Sequence, residues 1–271
     1  MLYYIGSLII NSFGPARLLQ SYTVLIGLSL FVGFSLCYFI LPKCFKFLPS
    51  DRGREFTLTA EAAKGKPTGA GIVFISIFVV TVLLFVPVDL LQLSILILTW
   101  LTMLTGFLDD RSITSWGEYL KGALDLVICV AASFVLYYFN QRVVDGQEIQ
   151  FWLPFISTPV TIAPWLFIAI STVLLWMSIN TTNCTDGVDG LSGTLVLIGL
   201  ITMGIIFYFI LGHKEISAYL LVPHLKDGAT WGVMCFALSG VLMGYLWHNA
   251  FPSRVLMGDA GSRALGFFIG I

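Results

Sequence analysis

Residues Gly69–Asp110 read GAGIVFISIFVVTVLLFVPVDLLQLSILILTWLTMLTGFLDD. Two apolar runs, Gly69–Pro87 and Val88–Leu108, meet at Pro87. Each is close to the roughly 20 residues that carry a helix across a hydrocarbon core, whereas barrel strands need only about 10 alternating residues. A turn as short as the one at Pro87 makes the two helices antiparallel neighbours. The second run stops at paired carboxylates, Asp109 and Asp110. Similar runs recur on both sides, at Tyr22–Leu41, Tyr119–Phe139, Pro164–Asn180, Gly190–Leu211 and Gly232–Asn249. An eighth begins near Ala264 and is cut off at Ile271. The expected fold is an all-α polytopic membrane protein with seven complete transmembrane helices and the start of an eighth. Residues 1–271 then form a single transmembrane domain, with no internal repeat or low-complexity linker.

Composition agrees. Of 271 residues, 58% are hydrophobic and 11% are charged, against about 25% charged in soluble domains. The mean hydropathy is +0.93. A net charge of -1 offers no basic field for nucleic acid. The five cysteines include no Cys-x-x-Cys spacing, which excludes a zinc site or disulfide framework as the expectation. Cys37, Cys129 and Cys235 sit inside apolar runs and read as packing residues. The first charge is Arg17, which does not fit a cleavable signal peptide. The first spanning helix therefore serves as the insertion signal.

Lysine and arginine set the orientation. Lys43, Lys46, Arg52, Arg54, Lys64 and Lys66 share the loop after the first span. With that loop cytoplasmic, alternation puts Arg111, Lys121, Arg254 and Arg263 on the same side, and Arg17, Arg142, Lys214 and Lys226 opposite. The N-terminus is then outside. Three polar segments fall on the cytoplasmic side: Asp109-Asp110, Asn183–Asp189 and Gly258–Ser262. The outer loops, Asn140–Ala163 and Gly212–Trp231, have no comparable cluster. Carboxylates at membrane depth are costly and point to function.

Adjacent residues do not share a helix face, so Asp109 and Asp110 are expected to do two jobs. One can hold a cation or cationic side chain while the other accepts a proton or orients substrate. The plainer alternative is a solvated stop signal. The stretch NTTNCTDGVDGL, from Asn180 to Leu191, offers neutral donors, acceptors and two carboxylates, with glycines that admit close backbone approach. It suits a sugar nucleotide, with an ordinary Asp-Gly turn as the alternative. In Met257-Gly258-Asp259-Ala260-Gly261-Ser262, a Gly-rich turn enters a helix and offers free N–H groups for phosphate. Asp259 can hold a bridging magnesium ion there. Lys66, in the segment Lys64–Gly71, and Lys121 supply cations for phosphate, although lipid anchoring and snorkelling also explain such lysines. His213 and His224 read as bystanders in an outer loop, and His248 as a packed or capping residue near Asn249. Together these groups suit magnesium-assisted phosphoryl transfer to a lipid phosphate in the bilayer.

The sequence resembles the polyprenyl-phosphate sugar-1-phosphate transferases. Four segments carry the resemblance in the family's order: Lys64–Gly71, Gly106–Asp110, Asn183–Leu191 and Phe251–Gly266. Thr185-Asp186-Gly187 and Lys66-Pro67-Thr68-Gly69 favour its phospho-N-acetylmuramoyl-pentapeptide-transferase branch. The resemblance implies transfer of phospho-MurNAc-pentapeptide from UDP-MurNAc-pentapeptide to undecaprenyl phosphate, giving lipid I and UMP for peptidoglycan. It implies a bacterial plasma-membrane protein in contact with membrane lipids, with Mg2+ as cofactor, and it allows a homodimer. By motif position Asp109, Asp110 and Asp259 resemble catalytic residues, and Asp259 the metal ligand. Lys66, Thr68, Lys121, Asn183, Asp186, Gly187, Asp189 and Asn249 resemble substrate-binding residues. Leu256 stands where the family commonly has Phe, implying apolar contact with uracil in place of ring stacking. Family members also continue past the eighth span to a His-bearing cytoplasmic loop, so the sequence reads as one helical hairpin and one loop short. The alternatives are a transferase using a UDP-N-acetylhexosamine, and a transporter. Transport acids are expected near the bilayer midplane.

Overall fold

A computed structural model describes residues 1–10, 13–51, 64–112, 114, 116–143, 149–151 and 160–271. Arg52 and Arg54 of the basic loop, most of the loop between residues 144 and 159, and the side chain of Arg142 lie outside the described residues. The chain forms helices α1 (Leu2–Ile9), α2 (Tyr22–Cys44), α3 (Gly71–Phe85), α4 (Leu90–Arg111) and α5 (Glu118–Val143). They are followed by α6 (Pro164–Thr185), α7 (Leu191–Ile205), α8 (Lys214–Tyr219), α9 (Gly228–Asn249) and α10 (Gly258–Gly270). A π-helical turn, Ile206–Leu211, extends α7. One short antiparallel strand pair, Ile149–Phe151 with Val160–Ile162, is added to the expected all-α architecture.

Six of these helices, with the π-turn included in one, are long and apolar enough to span a bilayer among the described residues. The run expected at Gly69–Pro87 is helical only over the 15 residues of α3, about 22 Å at 1.5 Å per residue. One end is set by a distant segment and the other by a local turn. Before it, residues 67–70 run as a non-helical strap, with the Ala70 and Gly71 N–H groups donating to the carbonyls of Leu256 and Met257. After it, the chain turns at Pro87, and α4 starts on a capping box. Asp89 accepts from the Leu90 N–H at 2.7 Å, and Gln92 Oε1 accepts from the Asp89 N–H at 2.9 Å. Helix α4 then continues through Asp109 and Asp110, so both carboxylates sit on its last turn.

The bundle is built around α9. Some 72% of its most apolar window is buried, against 17–39% for the other spans, which makes it the central helix. Helices α2, α3 and α7 pack on α9, and α10 lies against α4, α6 and α3. The larger core contains Phe74, Phe78, Leu238, Leu242 and Tyr245. Outward-facing apolar side chains such as Phe31, Phe39, Val127, Phe134, Val173 and Ile198 are exposed, as lipid-facing positions require.

Candidate active site

The eighth run begins at Gly258, six residues before the expected start near Ala264. The reason is a cap from another helix. Asp110 Oδ1 and Oδ2 each accept a hydrogen bond at 3.0 Å, from the N–H groups of Asp259 and Ala260. These N–H groups have no intrahelical partner at a helix start, and a carboxylate there also complements the helix dipole. The free N–H groups expected here for phosphate are therefore, at these two positions, already taken by Asp110. Gly258 enters the helix at a φ of +70°, and a Cβ added there would come within 2.5 Å of Asp110 Oδ2. Only glycine suits that position.

Asp109, one residue earlier, turns to a cation. Its Oδ2 lies 2.5 Å from Lys121 Nζ, and its Oδ1 accepts from the Trp116 N–H at 2.6 Å. The same Lys121 ammonium donates to Asp259 Oδ2 at 2.9 Å. One cation near the start of α5 is thus shared by a carboxylate ending α4 and a carboxylate opening α10. The Asp109 side chain is 5% exposed, whereas Lys121 and Asp259 are each 24% exposed and reachable from outside.

Two carboxylates around one ammonium leave an excess of negative charge, and Asp110 beside Asp109 adds to it. The Asp109 and Asp259 oxygens converge on one cationic point and are hard donors, which fits magnesium. Among the described residues no three His, Cys, Asp or Glu side chains form a metal cage.

A second cluster forms on the same end of the bundle. Lys66 Nζ donates to Ser253 Oγ at 2.8 Å and lies 3.8 Å from Asp189 Oδ2. Asp189 Oδ2 also accepts from the Ser253 N–H at 3.3 Å. Asn249 spends both ends of its amide on backbone. Its Oδ1 accepts from the Gly190 N–H at 2.9 Å, and its Nδ2 donates to the Val255 carbonyl at 2.8 Å. Asn249 thereby ties the turn at residues 186–190 to residues 250–257. Asn183 closes α6, and Asp186 and Gly187 form the turn after it, all three partly exposed.

Thr68 and Leu256 are buried at 9% and 4% exposure, so neither side chain is displayed to a ligand. Backbone bonds explain both positions. The Thr68 N–H donates to the Pro49 carbonyl, and the Leu256 N–H to the Pro67 carbonyl, each at 2.8 Å. His248 is buried, with Nε2 3.1 Å from the Tyr38 carbonyl and its ring against Tyr38 and Phe45. Sequence reasoning missed Ser253 and the buried Asp125–Arg263 pair. A carboxylate inside the run Tyr119–Phe139, four residues past Lys121, was the available signal for the pair.

Residues 92–271 match the family described as glycosyl transferase family 4. A phospho-N-acetylmuramoyl-pentapeptide-transferase of Treponema pallidum is 57% identical over 261 residues, covering 96% of this chain and 70% of the relative. Enzymes of the same name from Campylobacter curvus and Helicobacter acinonychis are each 31% identical. The first alignment covers 100% of this chain and 77% of the relative, the second 93% and 73%. The chain belongs to glycosyl transferase family 4, as a multi-pass membrane glycosyl-1-phosphate transferase of its phospho-N-acetylmuramoyl-pentapeptide-transferase branch.

Proposed function

We propose that this chain transfers phospho-MurNAc-pentapeptide from its UDP carrier to undecaprenyl phosphate, at the cytoplasmic face of the bacterial plasma membrane. The products are lipid I and UMP. The observation that carries the reading is the Lys121 ammonium shared between Asp109 and Asp259. It joins a phosphate-binding cation to carboxylates suited to a divalent ion, at one end of an apolar bundle.

In the reaction an oxygen of undecaprenyl phosphate attacks the β-phosphorus of the nucleotide. The bond to UMP breaks, and UMP leaves with the electron pair. The attacking phosphate is already ionised at neutral pH, so the step needs no protein base. This agrees with the structural duties of the two adjacent acids, since Asp110 caps α10 and Asp109 holds Lys121. Lys121 orients and neutralises the donor phosphates as a point charge. Asn183, Asp186 and Gly187 offer donors and acceptors to the sugar or uracil, with the turn held by Asn249. Lys66, 3.8 Å from Asp189, supplies a second cation at the same end of the bundle for the donor phosphates. Asp259 and Asp109 would hold magnesium, which when bound lowers the cost of charge on the phosphates of donor and leaving UMP.

The test is magnesium-dependent UMP release by the chain in lipid nanodiscs, given UDP-MurNAc-pentapeptide and undecaprenyl phosphate. Asp259→Ala is expected to cut the rate by about 100-fold or more. No release by the unmodified chain, or undiminished release by Asp259→Ala, overturns the reading.

A further inference from the structure

Helices α5 and α10 share a second ion pair, one turn deeper than the first. Arg263 Nη2 lies 2.5 Å from Asp125 Oδ1, and Arg263 Nε lies 3.2 Å from both Asp125 oxygens. The two side chains are 1% and 3% exposed. Asp125 follows Lys121 by four residues, and Arg263 follows Asp259 by four. Residues at that spacing share a helix face. The two pairs therefore stack with reversed polarity. Helix α5 presents ammonium and then carboxylate, while α10 presents carboxylate and then guanidinium. Each charge has an opposite charge across the interface and another along its own helix.

Stability does not account for the inner pair. A buried ion pair is commonly no better than apolar packing of similar volume. Here Arg263 also keeps Nη1 buried with no hydrogen-bond partner. Its neighbours on α10, Ala264, Leu265, Phe267 and Phe268, close the same region with apolar side chains.

We propose that Asp125 and Arg263 are a positioning pair for the transfer site. Paired, they link α10 to α5 through their side chains, in the register that brings Asp259 to Lys121. When Lys121 is drawn toward donor phosphate, Asp259 keeps a positive neighbour in Arg263 on its own helix face. Neither residue touches a reacting atom. The inference rests on the transfer reaction proposed above.

The test compares the unmodified chain with three variants in nanodiscs: Asp125→Leu with Arg263→Leu, the charge-swapped Asp125→Arg with Arg263→Asp, and Arg263→Lys. Melting temperature, kcat and donor KM are measured for each. The leucine pair is expected to melt within about 3 °C of the unmodified chain, with kcat lower by roughly tenfold to 100-fold and KM little changed. The swapped pair keeps an ion pair but sets Arg beside Lys121 and Asp beside Asp259, so it stays slow. Arg263→Lys recovers most of the rate. Wild-type kcat in the leucine or swapped variant overturns the proposal, and so does a rate loss that only tracks unfolding. A readout independent of turnover is the distance between spin labels on Tyr119→Cys and Arg254→Cys, with Cys44 and Cys184 replaced by serine. A narrow distribution with the pair and a shifted or broadened one without it is expected, and unchanged distances overturn the register role. An inactive unmodified chain with pair-dependent distances overturns the reaction reading and leaves the register role standing.

Discussion

At the scale of single residues, the chemistry of this site depends on how adjacent acids are divided. Asp109 and Asp110 are neighbours in sequence, yet one binds a lysine and the other two backbone N–H groups of another helix. That the two acids do different jobs was foreseeable, because successive residues on a helix point about 100° apart, but a helix-capping role in place of a proton- or substrate-handling one was not. Which acid took which task was not, because the partners lie about 150 residues away for one of them. Asp110→Ala should leave the N–H groups of Asp259 and Ala260 without their cap. The expected cost is about 1–2 kcal/mol, read as a melting temperature roughly 3–8 °C lower, and Asp110→Asn should fall between the two. An unchanged melting temperature for Asp110→Ala would refute the capping role. Lys66, Lys121 and the acids were legible because each is a rare charge in an apolar chain. Asp125 carries a signal, as a carboxylate inside an apolar run, but nothing local pairs it with Arg263, 138 residues away.

At the scale of elements, helices α3 and α4 approach the start of α10 through glycine. A Cβ at Gly71 would meet Gly261 N at 2.2 Å, and one at Gly106 would meet the Asp259 carbonyl oxygen at 2.4 Å. Both contacts are to backbone, so no side chain can rotate away. Small residues of this kind let helices in membranes pack closely. Gly71→Ala or Gly106→Ala should push α10 outward, costing about 1–3 kcal/mol and displacing Asp259 from Lys121. Lower melting temperatures together with loss of UMP release would report this. Gly117→Ala, where no atom lies within 4 Å of the added Cβ, serves as the neutral control. The apolar runs were readable as helices because length and hydrophobicity are local properties. The boundaries of α3 and α10 were not, because a strap to residues 256–257 and a cap from Asp110 set them.

At the scale of the whole molecule, the polar segments expected on one face do gather at one end of the bundle. The excess of lysine and arginine at that end supports a cytoplasmic site. On spheroplasts, with Cys184→Ser removing an exposed thiol, an impermeant maleimide should label Glu215→Cys. Lys64→Cys should react only after lysis, and its labelling before lysis would reverse the orientation. By itself the sequence determined the solvent, the helical class, the approximate spans and the residue types that can handle phosphate. Those follow from run length, alternation and chemical identity, which need no partner. The tertiary structure alone decided that Lys121 bridges Asp109 and Asp259, that Asp110 and Asn249 serve backbone, and that Asp125 neutralises Arg263. Pairing depends on the azimuth and register of packed helices, and these are set by backbone contacts between segments far apart in the chain.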